Sequence, residues 1–406
     1  WQYPHASEVR RKGIIMGSID HLVDQFKTTE NEDITLFRDM LLRCLEKEVI
    51  PNYDQWEKDG WMPKEAWLML GAAGMLGPDM PEEFGAAGAP FEVALMILEE
   101  TCRLNLHSLS TALNVHANIV MPYINNLGTA EQKAQWLPRM VTGEVVGSIG
   151  MTEPGAGSDL AGMRTNAVRD GDDWVINGSK TFITNGLHCG LIVLAAKTDT
   201  TKGAKGISLF LVDSSLPGFK KGKGIKKMGQ HSNDTAELFF DNLRVPANAL
   251  LGEENKGFIY LMQELPRERL GLGSQAVGAC EGAMAITADY VTQRKAFGST
   301  IAQFQNTRFK MAELRAQLEL TKAYLKQCEA RFKLGAMTTE EASILKLMST
   351  ELQVKLTHEC LQLFGGYGYT EEYPISRFFT DARVQTIYAG TSEIMKEVIA
   401  RGELGR

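Results

Sequence analysis

The segment Leu261-Met-Gln-Glu-Leu-Pro-Arg-Glu-Arg-Leu270 sets one carboxylate, Glu268, two residues after a proline and between two arginines. Proline is favoured at the first position of a helix, where its missing N–H has no intrahelical partner. The pattern therefore predicts a helix starting near Pro266, with Glu268 on its first turn. A carboxylate so placed can act as a general base if its pKa suits the proton it takes. The helix N-terminus, Arg267 and Arg269 lower that pKa, while burial raises it. Equally open is the reading in which Glu268 only complements the helix dipole and Arg269 is an ion-pair partner that orients the helix start.

Thr152 to Ser158 is a glycine-rich turn with hydroxyls at both ends. Such turns expose backbone N–H groups that can cradle an anion, although an ordinary turn has the same composition. The seven histidines show no metal-ligand spacing, so no metal site is expected. The six cysteines, Cys44, Cys102, Cys189, Cys280, Cys328 and Cys360, lack any Cys-x-x-Cys pair and read as reduced, mostly buried thiols. A net charge of −7 gives no reason to expect nucleic-acid binding. The basic run Lys220–Lys227 reads as a solvated loop or, alternatively, a docking patch for an acidic partner or coenzyme phosphates. No apolar run is long enough to cross a bilayer.

These residues need elements to hold them. Leu36, Met40, Leu41 and Cys44 recur at helical spacing, and helical stretches follow at Phe91–Leu104 and Ser108–Leu127. Short β-type runs then appear at Leu191–Leu194, Ile207–Val212 and Glu237–Phe240, punctuated by Asn-Gly and Pro-Gly pairs. After Gly257 the pattern is helical again, with long segments at Phe309–Leu334 and Thr339–Leu363. The expected fold is α+β and multidomain: a tail (1–32), an N-terminal helical domain (33–143), a central β-barrel or sandwich (144–255) and a C-terminal four-helix bundle (256–406). There is no Gly-x-Gly-x-x-Gly and no Walker loop. The first fifteen residues carry Arg10, Arg11 and Lys12 with no apolar core; a processing remnant, an expression scar or a native tail fits them better than a secretory signal.

Four segments in order resemble the acyl-CoA dehydrogenase family: Met151–Asp159 (Met-Thr-Glu-Pro-Gly-Ala-Gly-Ser-Asp), Asn177–Gly186, Gln293–Gly298 and Gln362–Gly366. The resemblance spans roughly 33–402 and is strongest with long-chain members, through Glu264–Leu270 and Ile387–Glu397. Many relatives hold the catalytic base in the later motif, as Tyr-Glu-Gly-Thr. Here Ala389 stands at that position, so the resemblance moves the base to Glu268. It further implies that Ile149, Met151, Thr152, Ser158, Phe182 and Thr184 line an FAD, with Thr391 and Glu393 as another flavin contact. On a strand, alternation would put Phe182 and Thr184 on one face. By the same resemblance Arg294, Gln305, Gln362, Gly365 and Gly366 reach the flavin diphosphate and adenine across a subunit interface, in a homotetramer. Taken alone, Arg294 is a surface charge. The resemblance also implies that Ser158, Arg267, Arg269, Ala389 and Gly390 border the substrate, and that Ser110 and Asn114 form the floor of a deep acyl pocket.

The implied reaction is FAD-dependent α,β-dehydrogenation of a medium- to long-chain acyl-CoA to a trans-2-enoyl-CoA, in fatty acid β-oxidation, with electrons passed to an electron-transferring flavoprotein. The alternatives are a branched-chain dehydrogenase, an oxygen-using oxidase or flavin monooxygenase relative, and a non-catalytic assembly factor. A bacterial cytoplasm or a mitochondrial matrix fits the reduced thiols.

Overall fold

A computed structural model describes residues 32–405. The expected tail, 1–32, lies outside them apart from Glu32. Helix α1 (Glu32–Cys44) passes through a π-helical turn into α2 (Ile50–Asp59). Helices α3 (Lys64–Ala72), α4 (Phe91–Arg103), α5 (His107–Leu113), α6 (Met121–Leu127) and α7 (Ala130–Val141) complete the first domain. Its core gathers Leu41, Leu45, Trp67, Leu70, Leu109 and Leu113. The stretch from α5 to α6 is continuous but not uniform. Asn114–Val120 is π-helical, a wider turn that appears most often at functional positions.

The central domain is one sheet built from β1 (Val146–Gly150), β2 (Asn166–Asp170), β3 (Asp173–Thr184), β4 (Cys189–Lys197), β5 (Ile207–Asp213), β6 (Phe219–Gly224), β7 (Thr235–Pro246) and β8 (Leu250–Leu251). The strand order is β6-β7-β3-β2-β4-β5-β8, and β1 lies parallel to β4. Strand β4 reads as an unbroken apolar run because both its faces are covered. Leu191, Val193 and Ala195 join a core with Val120, Met121 and Tyr123 of the helical domain. The alternate residues Ile192, Leu194 and Ala196 pack with Trp174 and Phe210 inside the β domain, as a period of two requires. The basic run departs from the solvated-loop reading: its first half is β6, the edge strand paired with β7. Lys220 and Lys221 bond Asp241 and the carbonyls of Leu187 and Cys189. Lysines on an edge strand discourage pairing with another sheet.

Helix α8 (Gly257–Gln293) opens the last domain. A small hairpin, β9 (Lys295–Ala296) and β10 (Ser299–Thr300), leads to α9 (Gln305–Lys333), α10 (Thr339–Phe364), α11 (Pro374–Ala382) and α12 (Ser392–Leu404). The order of helical domain, β domain and helical bundle is the expected one, with α11 in addition. Two glycines let α4 rest directly on α8: a Cβ on Gly278 or Gly282 would fall 2.0 Å from the Glu99 carbonyl oxygen and 2.1 Å from that of Arg103. The predicted start near Pro266 is corrected, because α8 begins nine residues earlier, at Gly257, with Pro266 in its interior. An interior proline costs a helix about 3 kcal/mol. Burial of Leu261 in the core beneath the β domain and of Leu270 and Val277 in the bundle anchors the helix on both sides of the break.

Candidate functional site

Glu268 is buried, 7 % exposed, and sits three turns into α8. The helix N-terminus is therefore too far away to lower its pKa, since that effect fades within the first turn. Burial pushes its carboxyl up to about 7; a hydrogen bond from Tyr123 and the nearby Arg269 oppose the rise, and Glu264 adds to it. The Tyr123 hydroxyl donates to Glu268 Oε1 at 3.0 Å. Pro266 has no N–H to give the Met262 carbonyl, so the helix ladder is interrupted just before the carboxylate.

Arg269 does not form the expected ion pair, whereas Arg267 forms one that was not foreseen. Arg267 donates to Asp79 Oδ2 at 2.7 Å and to the Asn118 carbonyl at 3.1 Å. Arg269 donates to Ser343 Oγ at 2.9 Å, and its buried Nε has no partner. The Ala389–Gly390 loop approaches the same arginine: a Cβ on Gly390 would stand 3.8 Å from Arg269 Nη2. Lys346, fully buried on α10, donates to the Gly390 carbonyl at 2.7 Å. The two sequence-distant segments of the candidate base, 268–269 and 389–390, are thus neighbours, and Lys346 is a link that sequence reasoning missed.

Ser110 and Asn114 line the seam between α5 and α8. Ser110 Oγ donates to the Leu98 carbonyl and accepts from Gln275. Asn114 Oδ1 accepts from Asn118 and crowds Gly271, where a Cβ would come within 2.6 Å of it.

The glycine-rich turn is pinned from below by a buried ion pair. Lys180 Nζ donates to Glu153 Oε1 at 2.9 Å and to the Met151 carbonyl at 3.0 Å, and Glu153 also accepts from the N–H groups of Arg164 and Thr165. Ile149, Met151 and Thr152 are half-buried and Ser158 is exposed. No atom lies within 4 Å of where a Cβ on Gly155 or Gly157 would stand, so the turn presents open backbone. Simple alternation does not hold at Phe182 and Thr184. The pairing of β3 with β7 shifts between Lys180 and Ile183, and Phe182 takes φ +57°. The bulge turns the Phe182 ring outward, 65 % exposed.

The remaining candidates fall into two further places. Arg294, Gln362, Gly365 and Gly366 line one cleft of about 440 Å³, where Arg294 lies 5.5 Å over the Tyr367 ring. Thr391 and Glu393 line another, of about 570 Å³, with Lys355, His358 and Arg383. Thr391 caps α12 through the Ile394 N–H. The two clefts share no residue, and Gln305, the first residue of α9, lines neither. Among the described residues no cluster of ligating side chains could hold a metal ion, and no helix is long and apolar enough to cross a membrane.

Comparison with known proteins places this geometry. The chain matches the N-terminal, middle and C-terminal domains of acyl-CoA dehydrogenase over residues 31–144, 148–243 and 255–404. It is 47% identical over 368 residues to the long-chain specific mitochondrial acyl-CoA dehydrogenase of Mus musculus, covering 90% of this chain and 85% of that one. With the short-chain specific acyl-CoA dehydrogenase of Clostridium acetobutylicum it shares 37% identity, covering 92% and 98%. The crystal structure of an acyl-CoA dehydrogenase from Geobacillus kaustophilus superposes with a TM-score of 0.89 at 43% identity, covering 93% of this chain and 99% of that one. With its three matched domains and a helical–β–helical fold that encloses a buried carboxylate, the chain belongs to the acyl-CoA dehydrogenase family, oxidoreductases acting on CH–CH bonds.

Proposed function

We propose that the protein dehydrogenates a medium- to long-chain acyl-CoA at its α and β carbons, with FAD as cofactor and an electron-transferring flavoprotein as acceptor, in a homotetramer. The observation that carries the reading is the buried Glu268, whose carboxyl burial pushes up to about 7, on the turn of α8 whose Arg269 the Ala389–Gly390 loop approaches. The donor set suits FAD. Arg294 offers a planar fork for a diphosphate, Gly365 and Gly366 have no atom within 4 Å of a Cβ position, and the turn at Gly155 and Gly157 is open backbone beside an outward aromatic ring. When bound, FAD supplies the acceptor for the hydride that leaves the β carbon.

The chain's own part is positioning and proton removal. Glu268 takes the α proton, and a base with a pKa near 7 is matched to neutral pH. Lys346 fixes the Ala389–Gly390 loop, which borders the thioester. Ile149, Met151, Thr152, Ser158, Phe182, Thr184, Thr391 and Glu393 hold the cofactor from one subunit. Arg294, Gln305, Gln362, Gly365 and Gly366 hold it from the neighbour. The preference for long chains rests on the similarity to the mouse long-chain enzyme and on the small Ser110 and Asn114.

The test is anaerobic bleaching of the yellow protein with acyl-CoAs of increasing length. Bleaching by C8 to C16 chains, with reoxidation by flavoprotein and not by air, is the expected result. Glu268→Gln, whose amide cannot accept the proton, should slow flavin reduction by about 10²- to 10⁴-fold while FAD stays bound. Bleaching by no acyl-CoA, or an unchanged rate in Glu268→Gln, refutes the reading.

A further inference from the structure

We propose that Tyr123 is a positioning residue for Glu268, holding its carboxylate ionised and aimed through a hydrogen bond delivered from the N-terminal domain. The inference rests on the reading of Glu268 as the base and goes beyond it by assigning the residue that governs it. Tyr123 is fully buried, and its hydroxyl donates to Glu268 Oε1 at 3.0 Å. A phenol serving only to fill the core would ordinarily meet a backbone carbonyl or water. Here it meets the one buried carboxylate on this stretch of α8.

The contact is the outcome of a register that two other bonds fix. Asn126 Nδ2 donates to Glu264 Oε1 at 2.8 Å. Arg267 Nε donates to the Asn118 carbonyl at 3.1 Å, and the same guanidinium is tied to Asp79. Three successive contacts, at Glu264, Arg267 and Glu268, thus zip the 118–126 stretch against the turn of α8 that follows and precedes Pro266. The π-helical segment Asn114–Val120 overlaps the start of this stretch and leads into α6. One extra residue in a helical turn rotates everything downstream by about 100°, so this segment sets which side of α6 faces α8.

Among the described residues, Tyr123 is the side chain that hydrogen-bonds Glu268. Its own helix brings Glu264, Arg267 and Arg269; α10 brings Lys346, beside Arg269 and subject to Glu351 and Glu393; the loop before α12 brings Ala389 and Gly390, which carry no charge. Arg267 is neutralised by Asp79. Arg269 is turned to Ser343 and Thr339. The Tyr123 proton is held firmly, its pKa raised well above the ordinary 10 by burial and by Glu268, so the phenol donates at every working pH.

The experiment is an infrared pH titration of the holoprotein without substrate, together with the pH dependence of flavin reduction by acyl-CoA in stopped flow. The Glu268 carboxyl band is identified by its loss in Glu268→Gln. Tyr123→Phe removes one hydrogen bond to a charged group, so the band's midpoint should move up by about one to two pH units. The rate profile should move with it, leaving reduction roughly 10-fold slower at neutral pH and restored at alkaline pH. A structural role alone would lower stability or overall rate at every pH and leave the midpoint in place, and that result overturns the proposal. If Tyr123→Phe does not fold, 3-fluorotyrosine at position 123 keeps the shape and strengthens the donor. The midpoint must then move down, and an unmoved midpoint overturns the proposal. Because the infrared midpoint needs no turnover, it stands apart from the functional reading, which fails separately if Glu268→Gln reduces flavin at the parental rate.

Discussion

Ala389 holds φ at +52° and is followed by Gly390 at +94°. A left-handed conformation costs an L-residue on the order of 1 kcal/mol, and at Ala389 the surrounding loop, tied to Lys346 through the Gly390 carbonyl, imposes it. Ala389, which the proposed function sets beside the thioester, is thus strained and brings no bulk of its own, so a carboxylate can be introduced there. The double substitution Glu268→Gly with Ala389→Glu should recover part of the activity lost in Glu268→Gly alone. The recovery should come with a narrower substrate range, because the new side chain fills space beside the loop; kcat/KM across acyl chain lengths measures both effects. No recovery above the single variant would mean that the two segments, though adjacent at Arg269 and Gly390, do not address the same carbon.

Between elements, His116 is the joint that binds the π-helical segment to the β domain. Its Nδ1 accepts from the Gly147 N–H at 2.9 Å, and its Nε2 faces the Met140 carbonyl at 3.0 Å. That pairing fixes one neutral tautomer, and a second ring proton would point at the Gly147 donor. Burial lowers its pKa from 6.5 to about 4, and His107 is lowered likewise. At these two rings the folded state thus binds fewer protons than the unfolded chain between pH 4 and 6.5. The stabilisation is fully present above pH 6.5 and is lost as pH falls toward 4, by roughly 3 kcal/mol per buried histidine. Glu99, Glu268 and Asp381, which burial raises to about 7, 7 and 8, are protonated in the folded state across the same window and stabilise it as pH falls, so the histidine share is read by difference. His116→Gln should melt below the parent protein at pH 7 and draw level with it toward pH 4, as differential scanning calorimetry would register. The amphipathic helices were legible in sequence because their period is local: Phe91–Arg103 and Thr339–Phe364 were bounded to within a residue or so. The π-helical segment carried no such signal, since no repeat distinguishes it from an ordinary apolar helix. Pro266 misled for a related reason. The preference for proline at a helix start is local, whereas the burial of Leu261 that carries α8 past it is tertiary. Of the candidate site, Glu268 was singled out by the family resemblance and by the alanine at 389, while its neighbours in the chain fitted a helix-dipole role as well. Tyr123 and Lys346 could not be singled out, because their partners lie 145 and 44 residues away.

At the scale of the whole molecule, the hairpin after α8 leaves Phe297 98% exposed at its tip, next to the Arg294 cleft. In the proposed tetramer, another subunit would bury this ring. Phe297→Asp should break assembly and release FAD together, read by sedimentation velocity and flavin absorbance; a dissociated protein that keeps all its FAD would contradict the shared cofactor site. Helix α8 has its own bearing on the molecule as a unit. At about 1.5 Å per residue its 37 residues run some ~55 Å. Leu261 is embedded in the core under the β domain, while Leu270, Val277, Cys280 and Met284 belong to the bundle core that also takes in Leu95 and Cys102 of α4. No domain can then melt without uncovering part of the same helix. Amide protons along Leu270–Met284 should exchange only when the entire chain opens, so a protein of three domains behaves as a single foldon, with Glu268 two residues ahead of the segment that opens last.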